Sequence, residues 1–100
     1  MNIQITARKF KAHETLKEFI KDELTSLQRF NDDIINADVK LSFQNTQNSI
    51  KIAEIILSIP GQKLTAKEES DEFKKSVAGA VEKLRNQLST IKSKRTAKTR

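Results

Sequence analysis

The chain has 100 residues, enough for one domain with a single modest core. A hydrophobic fraction of 36% with two glycines and one proline describes a folded chain with few loops, and the lack of cysteine excludes disulfides, zinc–thiolate centres and thiol catalysis. Residues 1–50 carry seven Lys/Arg and seven Asp/Glu while residues 51–100 carry twelve and six, so the whole net charge of +6 lies in the second half, as in a nucleic-acid or anionic-surface binder.

Residues 2-NIQITA-7 alternate, with Ile3, Ile5 and Ala7 on one side, and predict a half-buried strand. A short basic connection, Arg8 to Lys11, follows. From about His13 the spacing of Leu16, Phe19, Ile20, Leu24 and Leu27 becomes helical, and the helix should stop near Phe30 before the turn 31-NDD-33. A second alternation, 35-INADVKLSF-43, places Ile35, Ala37, Val39, Leu41 and Phe43 on one face. The polar stretch 44-QNTQNS-49 reads as a loop. Strands 51–59 and 63–67 then flank Pro60-Gly61, which has the residues of a type II turn.

Ser70 is the expected N-cap of the last helix, with Asp71 and Glu72 placed to complement its dipole. Phe73, Val77, Ala80, Val81, Leu84, Leu88 and Ile91 form its apolar ladder, with Leu84 at the centre and fully buried. The order β-α-β-β-β-α predicts an α+β fold, a four-stranded, antiparallel-rich sheet with both helices packed on one face. Residues 1–95 form the domain and residues 96–100 a basic, disordered tail.

The cations of the last helix are not scattered. On a helical wheel Lys74, Arg85 and Lys92 fall on one border of the apolar stripe, and Lys83 and Lys94 on the other. From Lys83 to Arg100 there are seven Lys/Arg and no carboxylate. Such a run fits a polyanion, through phosphate contacts that release counterions. Charge alone leaves RNA, DNA, an anionic lipid surface and a merely solubilising tail as alternatives. His13 reads as a capping or surface residue and Asp32-Asp33 as turn chemistry. Phe10, between Lys9 and Lys11, either anchors its loop on the core or stacks on a base. With no nucleophile–base pair, carboxylate pair, metal-ligand cluster or glycine-rich phosphate loop, the chain reads as a non-enzyme without cofactor, metal or small-molecule substrate. No apolar run approaches the ~20 residues of a membrane span and no signal-peptide core is present, so a soluble, cytoplasmic protein is expected.

Two long segments carry a family likeness: 3-IQITARKFKAHETLKEFIKDELTSLQRF-30 and 64-LTAKEESDEFKKSVAGAVEKLRNQL-88. In order, length and the closing pattern of Lys83, Leu84, Gln87, Leu88, Lys92 and Lys94, the chain resembles the bacterial hibernation-promoting factor family, which includes the ribosome-associated inhibitor proteins. The resemblance implies a fold like the double-stranded RNA-binding domain. It implies binding to ribosomes, at the small ribosomal subunit and its ribosomal RNA near the decoding region and the channel for messenger and transfer RNA. It also implies translational silencing in stationary phase or stress, in some members with promotion of ribosome dimers. The chain departs from the family at Lys74, where an aromatic is common, at Asn86, where an arginine is, and at Thr90, where a lysine is. Its length resembles a short form, expected to be monomeric off the ribosome. The RNA-contacting residues expected from charge and likeness together are Arg8, Lys9, Lys17, Lys21, Lys74, Lys83, Arg85, Lys92, Lys94, Arg95 and Lys98. A general double-stranded RNA-binding module is the alternative, and a basic membrane-surface protein a more distant one.

Overall fold

The computed structural model describes the backbone of residues 1–44 and 50–98, with side chains described up to Ile91. Alternation of apolar and polar residues gives β1 (Asn2–Ala7), and the helical stripe gives α1 (Glu14–Phe30). His13 occupies the N-cap position in an extended conformation but makes no side-chain capping bond. At the other end Asn31 N–H donates to the Leu27 carbonyl, and Asn31 Oδ1 accepts from Asp33 N–H at 2.8 Å. The Asn-Asp-Asp turn thus closes the helix with its own side chain.

Strands β2 (Asn36–Gln44), β3 (Ile50–Ile59) and β4 (Gln62–Ser70) follow, then α2 (Phe73–Lys98). The sheet order is β1-β2-β3-β4. β1 runs parallel to β2 across the α1 connection, whereas β2, β3 and β4 are successively antiparallel. Pro60-Gly61 makes the two-residue β3–β4 turn, and Gly61 has the positive φ of 85° it needs. The loop expected at 44–49 lies, apart from Gln44, outside the described residues.

One apolar core lies between the helices and one face of the sheet. Ile20, Leu24 and Leu27 of α1 and Val77, Ala80, Val81, Leu84 and Leu88 of α2 meet the alternate strand residues Val39, Leu41, Ile55 and Leu57. Leu84 is 0% exposed, as its place in the ladder requires. The other sheet face carries no helix and is largely polar, with Gln4, Thr6, Asp38, Lys40, Glu54 and Lys67 in cross-strand register.

Three expectations are corrected. Ile35 precedes β2 and is 52% exposed, while its neighbour Ile34 is buried. Ile35 N–H donates to the Ser58 carbonyl and its own carbonyl accepts from Asn2 N–H, so the backbone enters the sheet before the side-chain alternation begins. β4 extends three residues past Lys67 because β3 offers Lys51, Ile52 and Ala53 as partners for Ser70, Glu69 and Glu68. Ser70 therefore ends a strand instead of capping α2. Its hydroxyl accepts from Glu72 N–H, and the Glu72 carbonyl takes the first helical bond, from Ser76 N–H. Ser76 itself is buried, and its hydroxyl donates to the Lys51 carbonyl at 2.8 Å, tying α2 to β3.

α2 continues to Lys98, past the domain boundary expected at residue 95, so the backbone of residues 96–98 is helical. Thr99 and Arg100 lie outside the described residues. Among the described residues, no helix is long and apolar enough to cross a membrane.

Candidate nucleic-acid interface

The two borders of α2 meet different neighbours. On one border lies α1, running alongside α2 in the same direction. Lys74 Nζ stands 5.8 Å from the centre of the Phe19 ring, a cation–π distance. Further along, Arg85 Nη2 donates to Ser26 Oγ at 3.2 Å, and Arg85 Nη1 lies 3.6 Å from Glu82 Oε2. Both stems cover the seam between the helices, as long cationic side chains do at the edge of a core. The exposed Lys74 ammonium and the remaining guanidinium donors of Arg85 can take phosphate oxygens.

On the opposite border lies β4, an edge strand. Lys83 Nζ sits 3.2 Å from Glu68 Oε2 and donates to the Lys67 carbonyl at 3.1 Å. One turn later Gln87 Nε2 donates to the Thr65 carbonyl at 3.1 Å. These side chains occupy alternate carbonyls along the sheet edge, where an unpaired strand would otherwise template another chain. The helical wheel places Lys83 on the correct border, but the protein's own sheet engages it.

The other expected contacts are spread out. Lys17 Nζ lies 3.9 Å from Glu14 Oε1, and Lys21 is exposed one turn further along α1. Arg8, continuing the polar side of β1, lines a shallow depression on the open sheet face with Thr6, Lys40, Ser42, Ile52, Glu54 and Lys67. It is therefore separated from the helical cations by the sheet. Lys9 is exposed, with a left-handed φ of 64°. Lys92, Lys94, Arg95 and Lys98 continue α2, and their side chains lie outside the described residues. Lys40, Lys63 and Lys67, which the sequence does not single out as RNA contacts, also lie on the open face, where strand alternation places them opposite the core residues. Among the described residues, no cluster of three or more His, Cys, Asp or Glu is placed to hold a metal.

The arrangement is that of a small α+β domain bearing a cationic helix seam. Residues 3–96 match the family described as sigma 54 modulation protein / S30EA ribosomal protein, and the chain belongs to that family. The ribosome hibernation promotion factor of Deinococcus radiodurans is 26% identical over 93 residues, covering 91% of this chain and 49% of that protein. The chain thus spans about half the length of that curated relative. Among solved structures, the ribosomal subunit interface protein from Coxiella burnetii superposes with a TM-score of 0.84 at 29% identity, covering 93% of this chain and 99% of that one. The N-terminal domain of Thermus thermophilus Protein Y does so with a TM-score of 0.80 at 25% identity, covering 91% and 99%.

Proposed function

We propose that this protein is a ribosome hibernation factor of the cytoplasm. It binds the small ribosomal subunit near the decoding region and the channel for messenger and transfer RNA, and so inhibits translation in stationary phase or stress. The single observation that carries this reading is the family match over residues 3–96, in a fold shared with a ribosomal subunit interface protein. The charge distribution supports it, with the whole net +6 in residues 51–100 and Lys74 and Arg85 held on the α1–α2 seam. The mechanism is occupancy: ammonium and guanidinium groups neutralise ribosomal RNA phosphates, and the domain blocks the path of messenger and transfer RNA. No chemical step is involved, and no cofactor or small-molecule substrate.

Cosedimentation with whole ribosomes, small subunits, large subunits and naked duplex RNA in parallel tests this reading. Binding to small subunits and ribosomes well above binding to duplex RNA is expected. Equal binding to naked duplex would identify a general double-stranded RNA-binding module, which touches phosphate and 2′-hydroxyl groups with little regard for sequence. Replacing Lys92, Lys94, Arg95, Lys98 and Arg100 with glutamine should flatten the salt dependence, by ~0.7–0.9 in log–log slope for each phosphate no longer neutralised. An unchanged slope would confine the grip to the helix seam.

A further inference from the structure

Three phenylalanines meet at the margin of the main core, against which Phe10 and Phe73 pack, each from a different part of the chain. Phe10 follows β1, Phe43 stands near the end of β2, and Phe73 opens α2. The Phe10 and Phe73 rings are stacked, with centroids 4.9 Å apart and an interplanar angle of 17°. Phe43 meets Phe10 edge-on at 5.8 Å and 67°. All three rings are only half-buried, whereas Val39 and Leu41 on the same side of β2 are sealed.

The chain adopts an uncommon conformation immediately before the cluster. Lys9, with no glycine's freedom, holds φ at 64°, a region that L-residues with side chains rarely occupy. This left-handed residue turns the chain after β1, at the point where Phe10 meets the other two rings. Strained backbone of this kind persists where the surrounding structure over-determines it, often at ligand-binding sites. The flanking residues add a second feature. Lys9 and Lys11 bracket Phe10, Lys74 follows Phe73, and all three are exposed.

Partly exposed aromatic rings next in sequence to exposed lysines match the chemistry of a nucleotide whose base is unstacked, with its π-face on the ring and its phosphates on the ammonium groups. Duplex RNA does not offer this, because its bases are stacked inside a helix recognised by shape. We propose that Phe10, Phe43 and Phe73 form a stacking platform for an unpaired base of single-stranded RNA, with Lys9, Lys11 and Lys74 on the adjoining phosphates. The inference rests on the ribosomal RNA reading above and deepens it by naming the RNA feature that is recognised.

Phe43→Leu removes a π-face and keeps an apolar side chain, and Phe43→Tyr keeps both. The 100-residue chain and both variants, with folding verified by melting, are titrated with small subunits, a single-stranded RNA carrying 2-aminopurine, and a blunt RNA duplex. Phe43→Leu is expected to weaken binding to single-stranded RNA and to subunits by roughly 5- to 150-fold. It should abolish the fluorescence quenching while leaving the salt slope and duplex binding unchanged, and Phe43→Tyr should behave as wild type. If wild type binds subunits but Phe43→Leu binds equally well, the platform is overturned and the ribosomal reading stands. Wild-type protein that binds neither subunits nor RNA overturns both.

Discussion

Gly79 of α2 and Glu68 of β4 approach so closely that a Cβ at position 79 would lie 2.7 Å from Glu68 Cγ. A glycine in a helix interior costs roughly 1 kcal/mol relative to alanine. Here that cost lets the helix settle on the strand with the Glu68 side chain between them. Gly79→Ala should therefore destabilise the fold, the crowding of ~1–3 kcal/mol outweighing the gain in helix propensity. In a Glu68→Ala background the same change should stabilise by up to ~1 kcal/mol. Chemical denaturation of the four proteins measures the coupling, and a stabilising Gly79→Ala in both backgrounds would show that the close approach costs nothing.

Glu68 also holds Lys83, which leads to a second expectation. Lys83→Met keeps the methylene stem but can no longer reach Glu68 Oε2 or the Lys67 carbonyl with a charged donor. Both groups of the ion pair are partly solvated, at 52% and 35% exposure, so the stability loss should stay within ~1 kcal/mol. Salt titration of subunit binding should give the wild-type slope for Lys83→Met and a flatter one for Arg85→Met. Equal flattening by both would mean that Lys83 leaves the sheet edge to take a phosphate.

Leu84 is sealed between α2 and the sheet. Leu84→Ala should lower stability by ~2–5 kcal/mol, the sum of lost burial and the cavity left behind. Thermal melting that barely shifts would contradict the register of α2.

Asp71 and Lys75 form an exposed pair at the start of α2, 3.3 Å apart. The hydrogen bond from the Lys75 ammonium, with its charge, holds the Asp71 carboxyl below its usual range, and the same bond with Asp71 raises Lys75. A lowered acid stabilises the fold above its unfolded pKa and loses that contribution as pH falls through the folded value. A raised base stabilises below its unfolded pKa and loses it as pH rises through the folded value. The small difference between wild type and Asp71→Asn should thus be flat between about pH 4 and 10 and shrink beyond each end. Stability curves against pH at low and high salt check this, and a difference that grows on acidification would assign the effect to another group.

Much of this fold can be read from periodicity because the periodic elements bury one face each. The alternation of β1 and the ladder of α2 state their own inward sides. Periodicity fails where a neighbour decides the structure. Glu68, Glu69 and Ser70 have no strand pattern of their own and are extended because β3 pairs with them. Ile34 and Ile35 are equally apolar, and only the sheet hydrogen bonds on either side of Ile35 determine which is buried. The helical wheel puts Lys74, Arg85 and Lys83 on the correct borders of α2. It carries no information about what each border faces, which is α1 with Phe19 and Ser26 beside Lys74 and Arg85, and β4 with Glu68 beside Lys83.

The parallel pairing of β1 with β2, and the late position of α2 in the chain, have a consequence for synthesis. β1 emerges first but has no partner until residues 36–41 have followed α1 out. The part of the sheet's apolar side that α2 covers then stays open until Val77 to Leu88 have been made. The Lys74–Phe19 and Arg85–Ser26 contacts form only when α2 docks beside α1. The nascent chain thus has no assembled cationic seam while most of it is being translated. On the ribosome-silencing role proposed above, the seam is complete only once nearly the whole domain has been made.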